Sequence, residues 1–146
     1  MSGTEQAFQD ARRVWREALR EHVLAPPDAG FSARLAALAA AAAQRAAACE
    51  AAYKDGFEWP AARGGAKPPY ELQPGSGRRG PEKLWARFDE AVAELDRLSE
   101  GRSMRAVGRA YAELSEVASQ LAQAVEREDR ANGLLPAAAS RRRKSA

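Results

Sequence analysis

The sequence contains one histidine and one cysteine, the two residue types that combine in thiol nucleophiles. A Cys–His pair requires hydrogen-bond contact between the thiol and the imidazole. If the first two helices form a hairpin that turns near Asp28, His22 faces Arg34 or Leu35, and Cys49 lies about 21 Å further along. This spacing excludes the pair. We expect Cys49 to be a small buried hydrophobe and His22 to have a structural role in the last turn of helix one, where a cation interacts favourably with the dipole.

Patterns that hold metals or phosphates are also absent from the sequence. Carboxylate metal sites in helical bundles use Glu-x-x-His, but the residue three positions before His22 is Leu19. The acids of "FDEAVAELDRLSE" fall mostly off the apolar stripe, which is typical of a solvated face. "GSGRRGP" has glycines and arginines, but no strand precedes it and Pro81 removes an amide that a phosphate would need. We therefore predict no catalytic residue, no metal and no cofactor, and a protein that is not an enzyme.

Composition narrows the class of protein further. A chain of 146 residues is expected to be one domain, and its abundant alanine favours a thin, helical core. There is no apolar run of about 18 residues, so we expect no membrane span. The opening "MSGTEQAFQD" does not resemble a secretory signal, and a single cysteine fits a reducing cytoplasm. We predict a cytoplasmic protein, and the excess of arginine and alanine indicates a bacterial, GC-rich genome.

Four segments have the apolar spacing of helices. The predicted helices cover about 4–24, 32–55, 81–100 and 103–131. Thr4 and Ser32 are the predicted N-caps of the first two helices. In the fourth, apolar residues alternate at spacings of three and four from Met104 to Val125, which resembles a coiled-coil seam over three heptads. At about 1.5 Å per residue, this helix would reach roughly 40 Å.

The charges of the fourth helix indicate how it pairs. Basic residues at its start and acidic residues at its end both oppose the helix dipole. An antiparallel hairpin with helix three, turning at Gly101, places acids of helix three beside those arginines and Arg87 beside Glu116. The predicted fold is all-α: two antiparallel helical hairpins forming an irregular four-helix bundle, with a long irregular loop between helices two and three.

The long loop is the unusual part of this fold. It covers residues 56–80, while 1–135 form a single helical domain and 136–146 a disordered basic tail. Helix four outruns helix three, so we expect the apolar seam of its last turns to be uncovered by that partner. The loop could pack over this seam, dock a partner or be disordered, and loops of this length are usually functional or disordered. The candidate partner-binding residues are Trp59, Tyr70, Leu72, Trp85, Leu121 and Val125.

The net charge of +3 belongs to the tail, because removing the four basic residues of "RRRKSA" leaves 19 basic against 20 acidic residues. A neutral body argues against a wide basic face for nucleic acid. The first residues of helix four have the apolar spacing of a helix-turn-helix motif. The apolar seam, however, continues through the position where the turn would be. The alternative nucleic-acid contacts are Arg102, Arg105, Arg109, Arg141, Arg142, Arg143 and Lys144.

These observations favour a non-enzymatic, cytoplasmic protein-interaction module: an adaptor, scaffold or regulatory subunit that acts through helix faces and the aromatic loop. We also expect that the chain can form a homodimer, because alanine-rich helix two and the end of helix four can each accept a partner helix. The alternative is a DNA-associated protein or transcriptional regulator that uses the arginine tail and the start of helix four. A third class is a ligand-binding bundle with a pocket beside Trp15, Trp59 and Trp85.

Overall fold

The described part of the chain, in a computed structural model, consists of four α-helices without a strand. It comprises residues 3–24, 30–56, 80–99 and 104–134. The helices are α1 (Gly3–Leu24), α2 (Phe31–Lys54), α3 (Glu82–Ser99) and α4 (Met104–Ala131). The all-helical class is confirmed, and each helix begins and ends within one residue of its expected position. None of the described helices is long and apolar enough to span a bilayer.

Several predicted features lie outside the described residues. They are most of the long loop, the turn at Gly101 and the basic tail at 136–146. The expectations for these segments therefore stay predictions.

The predicted N-caps of the first two helices are wrong. Gly30 is the N-cap of α2 and Ser32 lies inside the helix, where it is buried. The helix begins one residue earlier because Phe31 packs into the core, with its ring 5.6 Å from the ring of His22. Thr4 lies inside α1, and its hydroxyl donates a hydrogen bond to the Asp55 carboxylate at the end of α2.

The most extensive helix pair is α2 with α4, which the sequence pattern did not indicate. The Ser115 hydroxyl donates to the carbonyl oxygen of Ala39 at 2.7 Å. At Gly108, an added Cβ would lie 3.0 Å from the Cβ of Cys49 and 3.4 Å from the carbonyl oxygen of Ala46. The later residue of α4 faces the earlier residue of α2, so the two helices run in opposite directions. Small side chains at these positions allow the two backbones to approach closely.

The apolar seam at the end of α4 is buried, and the chain just before α3 contributes to this burial. Leu121 and Val125 are both fully buried. A Cβ at Gly80 would lie 3.2 Å from Cγ2 of Val125 and 3.5 Å from Cδ2 of Leu121, so the chain entering α3 lies directly on these side chains. Since α2 also lies along α4, the seam does not depend on α3 for its burial.

The two flanking helices each pack on one central helix, α1 on α2 and α3 on α4. On the α3 side, Arg87 donates to Glu113 and to Gln120, both at 3.2 Å. Glu113 and Gln120 lie about one turn on either side of Glu116, so these bonds place Arg87 beside Glu116, its expected neighbour. The amide of Gln120 donates to Glu116 at 3.4 Å, one helical turn away on the same helix.

The positions of the helix ends explain why the connection between α2 and α3 is long. The ring of Tyr53, near the end of α2, lies 5.7 Å from the guanidinium carbon of Arg105 at the start of α4. Gly80, just before α3, lies against Val125 near the opposite end of α4. Along α4 these positions are roughly 30 Å apart. A tight turn cannot span that distance, whereas a connection of this length can.

The close approach at Gly108 predicts sensitivity to added side-chain volume. Gly108→Val should lower the free energy of unfolding by about 1–3 kcal/mol, because the new methyl groups must displace Cys49 or the α2 backbone. The measurement is urea unfolding followed by circular dichroism. Ala112→Val, at an exposed position of α4, is the matched control and should change stability by less than about 1 kcal/mol. Equal effects of the two substitutions would contradict close packing at Gly108.

Candidate functional site

One end of the bundle holds a layer of aromatic rings, here called the aromatic layer: His22, Phe31, Trp85 and Phe88. The ring of Phe31 lies 5.6 Å from His22 and is stacked at 6.3 Å on Trp85. Trp85 meets the edge of Phe88 at 5.2 Å. Because these residues come from α1, α2 and α3, the layer joins both flanking helices to α2.

His22 is neutral in this layer. Its side chain is only 4% exposed, and neither ring nitrogen has a hydrogen-bond partner among the described residues. Burial, with a smaller contribution from the charge of Arg34, lowers the pKa of His22 from 6.5 to about 4. The expected cation at the helix end is therefore wrong, because the ring faces the apolar interior and not the solvent. The structural role expected for His22 stands on this packing.

Cys49 is fully buried, at the closest approach of α2 and α4. Burial raises the pKa of its thiol to about 11, against the opposing charge of Arg45. Cys49 and Phe31, the neighbour of His22, are separated by eighteen positions of one helix, which corresponds to about 27 Å. The histidine and the thiol are thus too far apart to form a nucleophile pair, and Cys49 is a buried hydrophobe as expected.

A second cluster surrounds Tyr111 in the middle of α4. The Tyr111 ring meets Trp15 of α1 edge to face at 5.2 Å, and the guanidinium carbon of Arg45 lies 4.7 Å from its centroid. Arg45 is only 8% exposed. Burial raises the pKa of Tyr111 to about 12, so its hydroxyl stays protonated at neutral pH.

Two further arginines of α1 belong to this cluster. Arg12 and Arg16 lie one turn apart on α1, on either side of Trp15, whose ring contacts Tyr111. Burial, then the charges of Arg45 and Arg16, lower the pKa of Arg12. We call Arg12, Arg16 and Arg45 the arginine cluster. None of the three forms an ion pair with a carboxylate within the described ranges, whereas Arg13, on the same helix, pairs with Asp10 at 3.2 Å. Sequence reasoning missed the cluster, although a single arginine within the alanine run of α2 was a usable signal.

The predicted partner-binding residues divide into two groups. Trp59, Tyr70 and Leu72 lie outside the described residues. The structure brings the other three together around Gly80. They are Trp85, Leu121 and Val125, and all of them are buried. Their side chains contribute to the core and present little surface here, so a role in partner contact stays a prediction.

The predicted nucleic-acid contacts also divide. Arg105 and Arg109 are exposed at the start of α4, and Arg105 lies over the half-exposed ring of Tyr53. Outside the described residues are Arg102, Arg141, Arg142, Arg143 and Lys144. Contact of these residues with nucleic acid therefore stays a prediction.

One side of α2 is exposed and consists mainly of alanine. Its members, here called the alanine face, are Ala33, Ala36, Ala37, Ala40, Ala43, Ala47 and Ala51, all exposed. Their spacing of three and four places them on one side of the helix, with Gln44 among them. The sequence periodicity did not separate this side from the buried one, because alanine occupies both.

Comparison with known proteins provides no relative: no family model, no curated protein and no solved structure matches this chain. Function must therefore be inferred from the alanine face, the aromatic layer and the arginine cluster.

Burial of His22 makes stability depend on pH. The unfolded chain takes up this proton near pH 6.5, but the folded chain only near pH 4, so the unfolded state binds more protons between these values. The free energy of unfolding should fall as the pH is lowered through this window, by about 2 kcal/mol between pH 7 and pH 5. Urea unfolding at the two pH values measures the change.

His22→Leu is the matched control for this pH dependence, since this is the only histidine of the chain. The variant should lose most of the difference between pH 7 and pH 5. An unchanged difference in the variant would assign the pH dependence to other groups.

The raised pKa of Cys49 predicts a slow thiol. At pH 8, reaction with a disulfide reagent should be at least about 100-fold slower in the folded chain than in urea, because little thiolate forms and the side chain is buried. Ala112→Cys combined with Cys49→Ala moves the thiol to an exposed position of α4 and should react rapidly without urea. Rapid reaction of native Cys49 would contradict its burial.

Proposed function

We propose that this chain is a non-enzymatic interaction module that pairs with a second copy of itself through the alanine face of α2. The single observation that carries this proposal is the exposure of seven alanines on one side of one helix. Isolated apolar residues on a surface are ordinary, but an aligned set of small ones makes a continuous strip with few charges. Alanine side chains form no hydrogen bonds with water, so another helix can cover this strip at little desolvation cost.

Small side chains favour a helix as the partner. Helix axes approach to about 8 Å when the contact residues are small. The chain already uses this kind of contact internally, where Gly108 of α4 lies against Cys49 and Ala46 of α2. The alanine face offers the same surface on the opposite side of α2.

The face also suits a two-fold symmetric pair. A symmetric dimer uses the same patch on both copies, so the patch must be complementary to itself. An antiparallel arrangement centred between Ala43 and Gln44 places Ala40 of one copy opposite Ala47 of the other. The nearby Glu50 carboxylate already pairs with Lys54 at 3.2 Å, so neither brings an unpaired charge to the contact.

The proposed dimer rests on an arrangement of two antiparallel hairpins, α1 with α2 and α3 with α4. Contacts at both ends of α1 support the first: Thr4 hydrogen-bonds Asp55, and His22 packs on Phe31. For the second, Gly80 lies near the end of α4 and Arg87 reaches back to Glu113. In this arrangement α2 offers its remaining side to the second copy, and the module acts as a cytoplasmic adaptor, scaffold or regulatory subunit.

Sedimentation equilibrium tests the proposed dimer. Ala40→Glu with Ala47→Glu should weaken self-association at least about 100-fold, because like charges would face each other across the contact. The matched control is Ala86→Glu with Ala93→Glu, two exposed alanines of α3, which should leave self-association unchanged. Circular dichroism verifies that both double variants fold. A wild-type chain that is monomeric at its solubility limit would overturn the proposal, and equal weakening by both pairs would place the contact elsewhere.

A further inference from the structure

We propose that the arginine cluster, together with the Tyr111 hydroxyl, is a binding site for a phosphate group. Its members come from three helices: Arg12 and Arg16 from α1, Arg45 from α2 and Tyr111 from α4. The site is independent of the proposed dimer, because Arg45 is buried within one copy and does not belong to the alanine face.

The three arginines carry positive charge on helices that meet at Tyr111. Arg45 lies over the Tyr111 ring, and Trp15, between Arg12 and Arg16 on α1, contacts the same ring. None of the three arginines has a carboxylate partner within the described residues. Arginine remains protonated at neutral pH, so the repulsion cannot be relieved by losing a proton. By contrast, the exposed Arg20 on the same helix lies 3.6 Å from Glu21 and 3.9 Å from Glu17. An added anion would relieve the repulsion that the chain leaves uncompensated.

Arg45 also carries an unsatisfied hydrogen-bond donor. Arg45 is more than nine-tenths buried, and its Nε has no hydrogen-bond acceptor among the described residues. A buried donor to a charged group without an acceptor is energetically unfavourable, so such groups are uncommon unless a ligand or water satisfies them. An oxyanion beside Arg45 would supply the missing acceptor.

The Arg45 side chain is also preorganised. The Arg45 guanidinium lies against the Tyr111 ring at 4.7 Å, and that ring is itself held by an edge-to-face contact with Trp15 at 5.2 Å. Arg45 is therefore held in place before any ligand arrives, which lowers the entropy lost on binding. Tyr111 stays protonated and can donate a hydrogen bond to an anion.

The chemistry of the donors favours phosphate. Guanidinium groups present donors in a planar fork that matches phosphate oxygens, and three positive charges suit a dianion better than a single carboxylate. Among the carboxylates of the described residues, Asp96 of α3 acts on Tyr111, and its effect on the pKa of Tyr111 is smaller than those of Arg45 and Arg12. The ligand class is thus free phosphate or a small phosphate monoester.

Thermal unfolding and isothermal titration calorimetry at pH 8 test the site. Inorganic phosphate and glycerol 3-phosphate are titrated separately, which distinguishes free phosphate from a monoester, with sodium chloride and sodium acetate at equal ionic strength as control salts. At least one phosphate compound should raise Tm more than either control salt does and bind with a defined stoichiometry. If neither phosphate compound differs from sodium chloride and sodium acetate, the proposal is wrong.

Variants assign the binding to the cluster. Arg45→Met and Arg12→Gln should each weaken phosphate binding about tenfold or more, because each removes charge-assisted hydrogen bonds. Arg45→Met keeps an unbranched chain against Tyr111 and removes a repulsive charge, so we expect it to fold. If it does not, the half-exposed Arg12 decides the test.

Matched controls separate this site from general charge and from the dimer. Arg13→Gln removes an exposed arginine that already pairs with Asp10, and it should leave phosphate binding unchanged. Equal losses of phosphate affinity in Arg13→Gln and Arg12→Gln would show that binding depends only on net charge, and the proposed site would then be wrong. Ala40→Glu with Ala47→Glu should bind phosphate as the wild type does, so a failure of the dimer and a failure of this site are distinguishable.

Discussion

The close packing of α2 on α4 is the constraint on which the rest of this structure depends. Gly108, Cys49 and Ala46 bring the two backbones together because none of them carries a long side chain. The hydroxyl of Ser115 then reaches the carbonyl oxygen of Ala39, a bond that a wider separation would break. With this pair in the centre, α1 packs mainly on α2 and α3 mainly on α4. Larger side chains of the flanking helices, such as Phe8, Trp15 and Phe88, complete the core around the close contact of the central pair.

The same central pair determines where the connections must go. Because α2 ends beside the start of α4, while α3 begins beside its end, the chain between them has to cover most of the length of the bundle. A long connection is thus a consequence of helix order. This geometry accounts for the length of residues 57–79 without assigning them any function of their own.

The helices could be predicted from the sequence, but their central contact could not. Apolar residues recur at helical spacing in all four segments, and glycine and proline lie between them, so the element ranges follow directly. In α2, however, alanine occupies both the buried and the exposed sides, and the spacing does not say which helix the buried side meets. The N-cap at Ser32 failed because the burial of Phe31 decided where the helix starts. The arginine within the alanine run of α2 was a signal in the sequence, but its neighbours could not be inferred, since Arg12 and Arg45 are far apart along the chain.

Burial has opposite consequences for the two kinds of basic side chain inside this bundle. His22 lies in the aromatic layer and loses its charge, since its pKa falls to about 4. The neutral ring packs against Phe31, while its two nitrogen atoms have no hydrogen-bond partner among the described residues. Arg45 lies at similar exposure but cannot lose its proton under ordinary conditions. Its charge must be balanced by something outside the guanidinium itself, and the ring of Tyr111 supplies only part of that balance. This helical core thus tolerates a buried histidine that has no hydrogen-bond partner among the described residues, whereas the charge of a buried arginine favours an anion beside it.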